Sequence, residues 1–311
     1  MSCDTSPQQS DKRQCAEASE RYLAELPRFP LYDLHSHTVA SDGMLTPAQL
    51  VQRAVEMRVS VLAITDHDST AGLAAAQQAI VEQALPIRLI NGVEISTGWE
   101  SFDIHIVGLN INPQAPAMLE LLAAQCLKRS ERAQEIARRL EKSQIPDALA
   151  GAQRFAGDAG ITRAHFARYL IELGKATDMA QVFKNYLARG KTGYVPPVWC
   201  TINEAVEAIH LSGGQAVLAH PGRYDLSAKW LRRLIIDFKQ AGGDAMEVSQ
   251  CQQAPQEQAQ LALYAQEYQL LASQGSDFHY PCAWVELGRR LSLPDKVIPV
   301  WQHWFAEPVV N

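Results

Sequence analysis

Seven short apolar runs recur along the chain, each carrying a histidine or a carboxylate, and six of them offer one as a candidate site residue. They are "LYDLHSH", "VSVLAITDH", "IRLINGVEIS", "FDIHIVGLN", "QAVLAHP", "DAMEVSQ" and "LLASQGSDFH", rich in the β-branched residues that favour strands. Amphipathic stretches such as "TPAQLVQRAVEMR" and "TINEAVEAIHLSGG" lie between them. Thr46 reads as the N-cap of the first, with Pro47 at the first helical position, and Gly213-Gly214 closes the second. Strand and helix in alternation predict an α/β fold with a parallel sheet, open or closed into a barrel. In such folds the loops at the C-terminal strand ends build the site, and there the polar residues gather.

The alternation breaks between residues 113 and 195, where "MLELLAAQCLKRSERAQEIARRLEK", "TRAHFARYLIEL" and "MAQVFKNYLARG" are all helical in pattern. The expected organisation is a barrel from 30–112 and 196–311 interrupted by a helical, substrate-binding insertion at 113–195. Residues 1–29 are polar and aperiodic, and read as a mobile leader. Charge follows the same division. From Leu127 to Lys191 there are 13 Lys and Arg against 7 Asp and Glu, within a chain whose net charge is −6. An acidic body carrying a basic segment suggests an anionic ligand approached from one side, and argues against bulk electrostatic binding of nucleic acid. The six cysteines lack CxxC spacing, no apolar run is long enough to span a bilayer, and the start lacks a secretory signal. A cytoplasmic protein with reduced thiols is expected.

His35 and His37 stand two apart on a strand, so their side chains share a face. His67, Glu94, His105, His220, Asp277 and His279 come from other runs, with Asp42 in the turn after the first. Six histidines and three carboxylates exceed what one ion needs. They suit two or three divalent ions, and mixed imidazole and carboxylate without thiolate favours Mn²⁺, Fe²⁺ or Zn²⁺ over Ca²⁺, with Mn²⁺ the first expectation. Clustered ions of this kind serve phosphoryl chemistry by acidifying water and clamping oxygens.

The ordered motifs "HSH…SDG", "TDHD", "GVEIS", "AHPGR" and "SDFH" resemble those of the polymerase and histidinol phosphatase (PHP) family of metal-dependent phosphoesterases. The resemblance runs from about Leu31 to the end of the chain, and "ARGKTGYVPPVWCT", "DLSAKWL" and "SQCQQ" place it nearest the branch acting on RNA 5′ ends and nucleoside 3′,5′-bisphosphates. It implies a distorted, TIM-like barrel of seven β/α units with a helical insertion and a trinuclear site. One ion would be held by His35, His37, Glu94 and Asp277. A second would share Glu94 with His105 and His220, and a third would sit between Asp42, His67 and His279. Asp42 stands where some relatives have histidine. Asp277 and His220 are the implied catalytic groups.

Substrate choice is expected from the insertion. Arg163, Arg168 and Lys191 there, and Arg223 in "AHPGR", are the candidate phosphate contacts, because a guanidinium fork matches phosphate. The implied activity is 5′→3′ exoribonuclease on 5′-phosphorylated RNA together with 3′,5′-nucleotide bisphosphate phosphatase, in RNA maturation or turnover, with no membrane and no obligate protein partner. A histidinol-phosphate-type phosphatase, a metal-dependent amidohydrolase and a non-catalytic nucleic-acid-binding module are the alternatives. His165, His210 and His303 read as structural or surface.

Overall fold

The computed structural model describes residues 29–305, so the leader expected at 1–29 lies almost wholly outside the described residues. Strands β1 (Tyr32–Asp33), β2 (Val61–Ile64), β3 (Arg88–Trp99), β4 (Phe102–Leu109), β6 (Gln215–Leu218), β7 (Ala245–Gln250) and β8 (Leu271–Gly275) follow one another around a sheet. The short β5 (Cys200–Thr201) pairs with β3 from outside this path. Beyond β1 the chain stays extended and meets β8, through Leu34 N to Gln274 O at 3.1 Å and His37 N to Phe278 O at 2.8 Å. These bonds draw the two ends of the sheet together into a barrel of seven strands.

The expectation of an all-parallel sheet needs correction. β4 runs antiparallel to both β3 and β6. The link from β3 is the two residues Glu100 and Ser101, with Glu100 at a left-handed φ of 53°, too short for a crossover helix. The reversal places His105 opposite Ser96, on the sheet face that Glu94 and Ser96 share. His105 therefore reaches the site from early in its strand, while His67 and His220 follow the ends of theirs.

Helices α1 (Pro47–Glu56), α2 (Gly72–Glu82), α7 (Ile202–Leu211), α8 (Ala228–Gln240) and α9 (Pro255–Glu267) belong to the α/β alternation. Thr46 caps α1 in a reciprocal box with Gln49, at 3.2 and 2.9 Å, and Gly213 follows α7 at φ 76°. Between β4 and β5 the described chain forms only α3 (Pro116–Lys142), α4 (Ala148–Ala156), α5 (Arg163–Glu172), α6 (Met179–Val182) and a π-helical turn at Phe183–Leu187. These helices bury a core of their own around Phe166, Leu170, Val182 and Leu187. Helix α3 serves both cores. Met118 and Leu122 pack with Ile104, Ile106 and Val206 of the barrel, and Ile136 and Leu140 pack in the helical lobe. At 27 residues it is about 40 Å long.

The barrel closes tightly where the first histidine sits. A Cβ added at Gly275 would fall on the Cβ of His35 and within 2.8 Å of its backbone nitrogen, whereas Gly98 has nothing within 4 Å. Gly275→Ala is therefore expected to cost about 1–3 kcal/mol. Gly98→Ala is the control, and the reading is the shift in urea midpoint. Equal midpoints for the two variants would contradict this packing.

Candidate metal centre

Glu94 lies in the middle of β3, fully buried, with its carboxylate facing five imidazoles. Oε2 stands 3.3 Å from His35 Nε2, 3.3 Å from His37 Nε2 and 3.0 Å from His67 Nδ1. Oε1 stands 2.9 Å from His105 Nδ1 and 3.0 Å from His220 Nε2. Asp277 Oδ1 closes on His37 Nε2 at 3.1 Å and on His35 Nε2 at 3.4 Å. On the far side of His37, Asp42 Oδ1 faces His279 Nε2 at 3.3 Å and His67 Nε2 at 3.8 Å. All nine sequence-derived candidates thus meet in one cluster. Three sets within it have ligand spacing: His35, His37 and Glu94; His67, Glu94 and His105; and His37, Asp42, His67 and His279. His67 belongs to two of them, one ring nitrogen facing each way.

Two observations test whether divalent ions fit. Ligands held about 2.0–2.2 Å from one ion stand roughly 3–3.5 Å from their neighbours, the range seen around Glu94. In addition, Asp42 Oδ1, His67 Nδ1, Glu94 Oε2 and His220 Nδ1 are buried with no hydrogen-bond partner among the described residues. Buried polar atoms are rarely left so. The nitrogen-oxygen donor set fits divalent ions of the Mn²⁺, Fe²⁺ and Zn²⁺ type.

The electrostatics are those of a tightly coupled cluster. Burial disfavours a charged ring at His35, but Glu247, Glu94 and Asp277 outweigh it and raise its pKa well above the ordinary value. Burial also disfavours the Glu94 carboxylate, yet His67, His105 and His35 hold it ionised well below the usual range. His37 is lowered to about 3 by burial and then by His279 and His67. His279 goes the other way. Burial opposes its charge, but Asp42 and Asp277 prevail and raise it to about 9.

Several residues that brace the cluster were not singled out in the sequence. Glu247 on β7 accepts from His35 Nδ1 at 2.6 Å and from the His220 backbone N–H at 2.7 Å, and Gln250 Nε2 donates to it at 2.6 Å. Holding Nδ1 fixes which nitrogen of His35 faces Glu94. Its signal was a lone acid in a strand buried throughout. Asp66 accepts from Thr38 N–H and Oγ at 2.7 Å and from Ser41 Oγ at 2.6 Å, fixing the turn that carries Asp42. Asp68, His220 and Asp277 all sit at positive φ, of 47°, 31° and 53°. Such conformations cost of order 1–3 kcal/mol and gather at functional sites.

A cavity of about 310 Å³ opens onto the Asp42, His67, His105 and His279 side of the cluster. Its other wall carries four arginines: Arg129, Arg132, Arg163 and Arg168. Arg163 and Arg132 reach the single carboxylate of Asp103 at 3.2 and 3.4 Å, Arg168 donates to the Asp42 carbonyl, and Arg129 is paired with Asp68. Arg129 and Arg132 also lie over the Trp199 ring, 4.9 and 5.1 Å from its centroid. Burial first, and then the neighbouring Arg163 and Arg129 against Asp103, lowers Arg132 to about 10. Of the four sequence-derived phosphate contacts, Arg163 and Arg168 line this cavity. Arg223 lies elsewhere, paired with Asp277, and Lys191 is exposed and absent from the lining. Arg129 and Arg132 escaped notice because "KRSERAQEIARR" reads as a solvated Arg/Glu face. His165 is a buried residue of the α5 capping box, its Nδ1 accepting from Thr162 N–H at 3.0 Å.

A protonated imidazole cannot bind a metal, so loading must displace the proton that His279, raised to about 9, carries at pH 7. Binding is expected to release protons at pH 7 and to tighten as pH rises from about 6 to 8. Calorimetric titration with Mn²⁺ in two buffers of different ionisation heat reads this directly. Identical heats in both would contradict it.

Known proteins share the fold and much of the sequence of this chain. The PHP-domain model matches residues 33–188. The chain is 64% identical to the 5′-3′ exoribonuclease Rnm of Escherichia coli K12, over 88% of this chain and 94% of that one. It is 41% identical to a 3′,5′-nucleoside bisphosphate phosphatase of Chromobacterium violaceum, over 87% of this chain and 95% of that one. Among solved structures it matches one from Chromobacterium violaceum described as an amidohydrolase with bound sulfate and no metal. There the TM-score is 0.83 and the identity 41%, over 88% of this chain and 95% of that one. A metal-dependent phosphoesterase structure from Bifidobacterium adolescentis matches with a TM-score of 0.73 and 26% identity, over 89% of this chain and 95% of that one. The chain belongs to the PHP-domain family of proteins.

Proposed function

We propose that the protein is a metal-dependent phosphoesterase that removes nucleotides from 5′-phosphorylated RNA in the 5′→3′ direction and also converts nucleoside 3′,5′-bisphosphates to 5′-mononucleotides. The observation that carries this reading is the arginine-lined cavity whose opposite wall is the candidate metal cluster. A 5′-phosphate held by Arg129, Arg132, Arg163 and Arg168 leaves the 3′-phosphorus of the same nucleotide to face the cluster. Both substrates offer that arrangement, and relatives named for each activity support it. The amidohydrolase alternative expects a lysine bridge, and here the residue that faces both sides of the cluster is Glu94.

His35, His37, Asp42, His67, Glu94, His105, His220, Asp277 and His279 are the proposed ligands of two or three divalent ions, Mn²⁺ first among them. When bound, such ions activate water and neutralise charge on the phosphate oxygens. Water oxygen bonds to the 3′-phosphorus, the P–O3′ bond breaks, and the 3′-oxygen leaves with a proton. Bisphosphate loses inorganic phosphate this way, while RNA keeps the phosphate as the new 5′ end. Asp277 and His220 are the residues assigned to the proton. Burial opposes the Asp277 charge, but His35, His279 and Arg223 keep it a carboxylate able to orient water. His220 retains a ring nitrogen, Nδ1, without a hydrogen-bond partner among the described residues. Trp199, beneath two arginines, stiffens the phosphate end of the cavity.

The test offers Mn²⁺-loaded protein a 5′-phosphorylated RNA, its 5′-hydroxyl twin and adenosine 3′,5′-bisphosphate. Stepwise 5′-mononucleotides from the first, little from the second and phosphate from the third are expected, with all activity lost in His35→Ala. Arg163→Ala should lower kcat/KM on the 5′-phosphorylated RNA by about 10- to 100-fold, the worth of a charged hydrogen bond. Undiminished discrimination between the twins would overturn the role of Arg163.

A further inference from the structure

A second cleft, of about 410 Å³, lies between the turn Pro221–Arg223, the segment Gln250–Gln253 that begins at the last residue of β7, and Glu257 on α9. It shares no lining residue with the arginine cavity. It nevertheless touches the metal cluster twice, through Arg223 paired with Asp277, and through Gln250, whose amide donates to Glu247 behind His35. The first cavity is lined by cluster residues themselves, whereas this cleft reaches the cluster through Arg223, against Asp277, and through Gln250 and Glu247, behind His35.

The lining indicates what this cleft would take. Arg223 is its one cation, already engaged by Asp277, and Glu257 adds a carboxylate. A second phosphate is therefore unwelcome. Three amides dominate instead: Gln250, Gln252 and Gln253. An amide offers both donor and acceptor, the match for base edges and ribose hydroxyls. Gln253 Oε1 accepts from Gln250 N–H at 3.3 Å, while its Nε2 is buried with no partner among the described residues. Gln252 is exposed and held at φ 62°, a strained backbone for a residue with a side chain. The volume falls within the range of about 300–1,000 Å³ usual for small-ligand sites.

We propose that this cleft holds the sugar and base of the nucleotide that follows the scissile phosphate in RNA. The inference rests on the phosphoesterase reading above. Because the P–O3′ bond breaks, the phosphate at the cluster stays attached to that following nucleotide, which leaves by way of Arg223. A nucleoside 3′,5′-bisphosphate has nothing to place there. The cleft therefore separates the two activities: it contributes to RNA and not to bisphosphate, and its occupant must shift into the arginine cavity before the next cut.

The test compares a 5′-phosphorylated diadenylate with adenosine 3′,5′-bisphosphate on Mn²⁺-loaded wild type and on Gln252→Ala, Gln253→Ala and the pair together. The ratio of kcat/KM for diadenylate over bisphosphate is expected to fall about tenfold in the double variant, carried by KM. Gln252→Gly, which relieves the backbone and removes the amide, should lower the same ratio without lowering the melting temperature. An unchanged ratio, or an equal loss on both substrates, overturns the subsite. Wild type that hydrolyses only the bisphosphate overturns the subsite alone, and wild type inactive on both overturns the phosphoesterase reading with it.

Discussion

The carboxylate of Glu94 sets the terms for the rest of the molecule. Five imidazoles converge on its two oxygens at 2.9–3.3 Å in the interior of a barrel. Packing ligands this closely costs desolvation and lone-pair repulsion, and a hydrophobic core of equal volume would be more stable. The fold holds them there through backbone it would otherwise avoid. β1 is drawn against β8, β4 is reversed so that His105 faces inward, and His220 and Asp277 are fixed in left-handed conformations. Each of these devices brings one more imidazole or carboxylate into the cluster, an arrangement that the proposed divalent ions would account for.

The arginines proposed to hold the substrate are tied mechanically to the same strand. Helix α3 is anchored by Gln125, whose amide donates to the Ser96 carbonyl at 2.6 Å and whose oxygen accepts from Cys200 N–H at 3.1 Å. One turn further on, Arg129 meets Asp68 and Ser96. Ser96 lies two residues beyond Glu94 on β3, so Arg129 is positioned against the candidate metal cluster by a short, buried chain of hydrogen bonds. The far half of α3 is packed in the helical lobe that carries Arg163 and Arg168. A long helix shared by two cores holds the proposed phosphate site and the candidate metal cluster in one frame, as in-line attack at a single phosphorus would require.

Much of this was legible in the sequence, because the physics that places it is local. The i, i+2 spacing of His35 and His37, the abrupt end of an apolar run before His67 or His220, and the Thr46-Pro47 start of α1 depend only on neighbours along the chain. The reversal of β4 was not legible: Glu100-Ser101 lacks the Asn-Gly or Gly that marks a tight hairpin, and the strain at Glu100 shows only in three dimensions. Glu247 was missed because an acid inside a buried strand has meaning only once its partners, 212 residues away at His35, are known. Arg129 and Arg132 sit in a run of charges on α3 that is indistinguishable, by pattern, from a solvated face. The helical region between β4 and β5 reads as an insertion, yet the first turns of α3 belong to the barrel core, so the break in pattern at 113 does not coincide with a break in packing.

The measurement that tests the account most directly is the number of divalent ions bound per chain, counted by metal analysis after stripping, reloading with Mn²⁺ and dialysis, in wild type and in Glu94→Gln. If Glu94 is the shared centre of the cluster, wild type retains two or three ions and the variant at most one. A wild type that retains none, or a variant that retains as many as wild type, would contradict it.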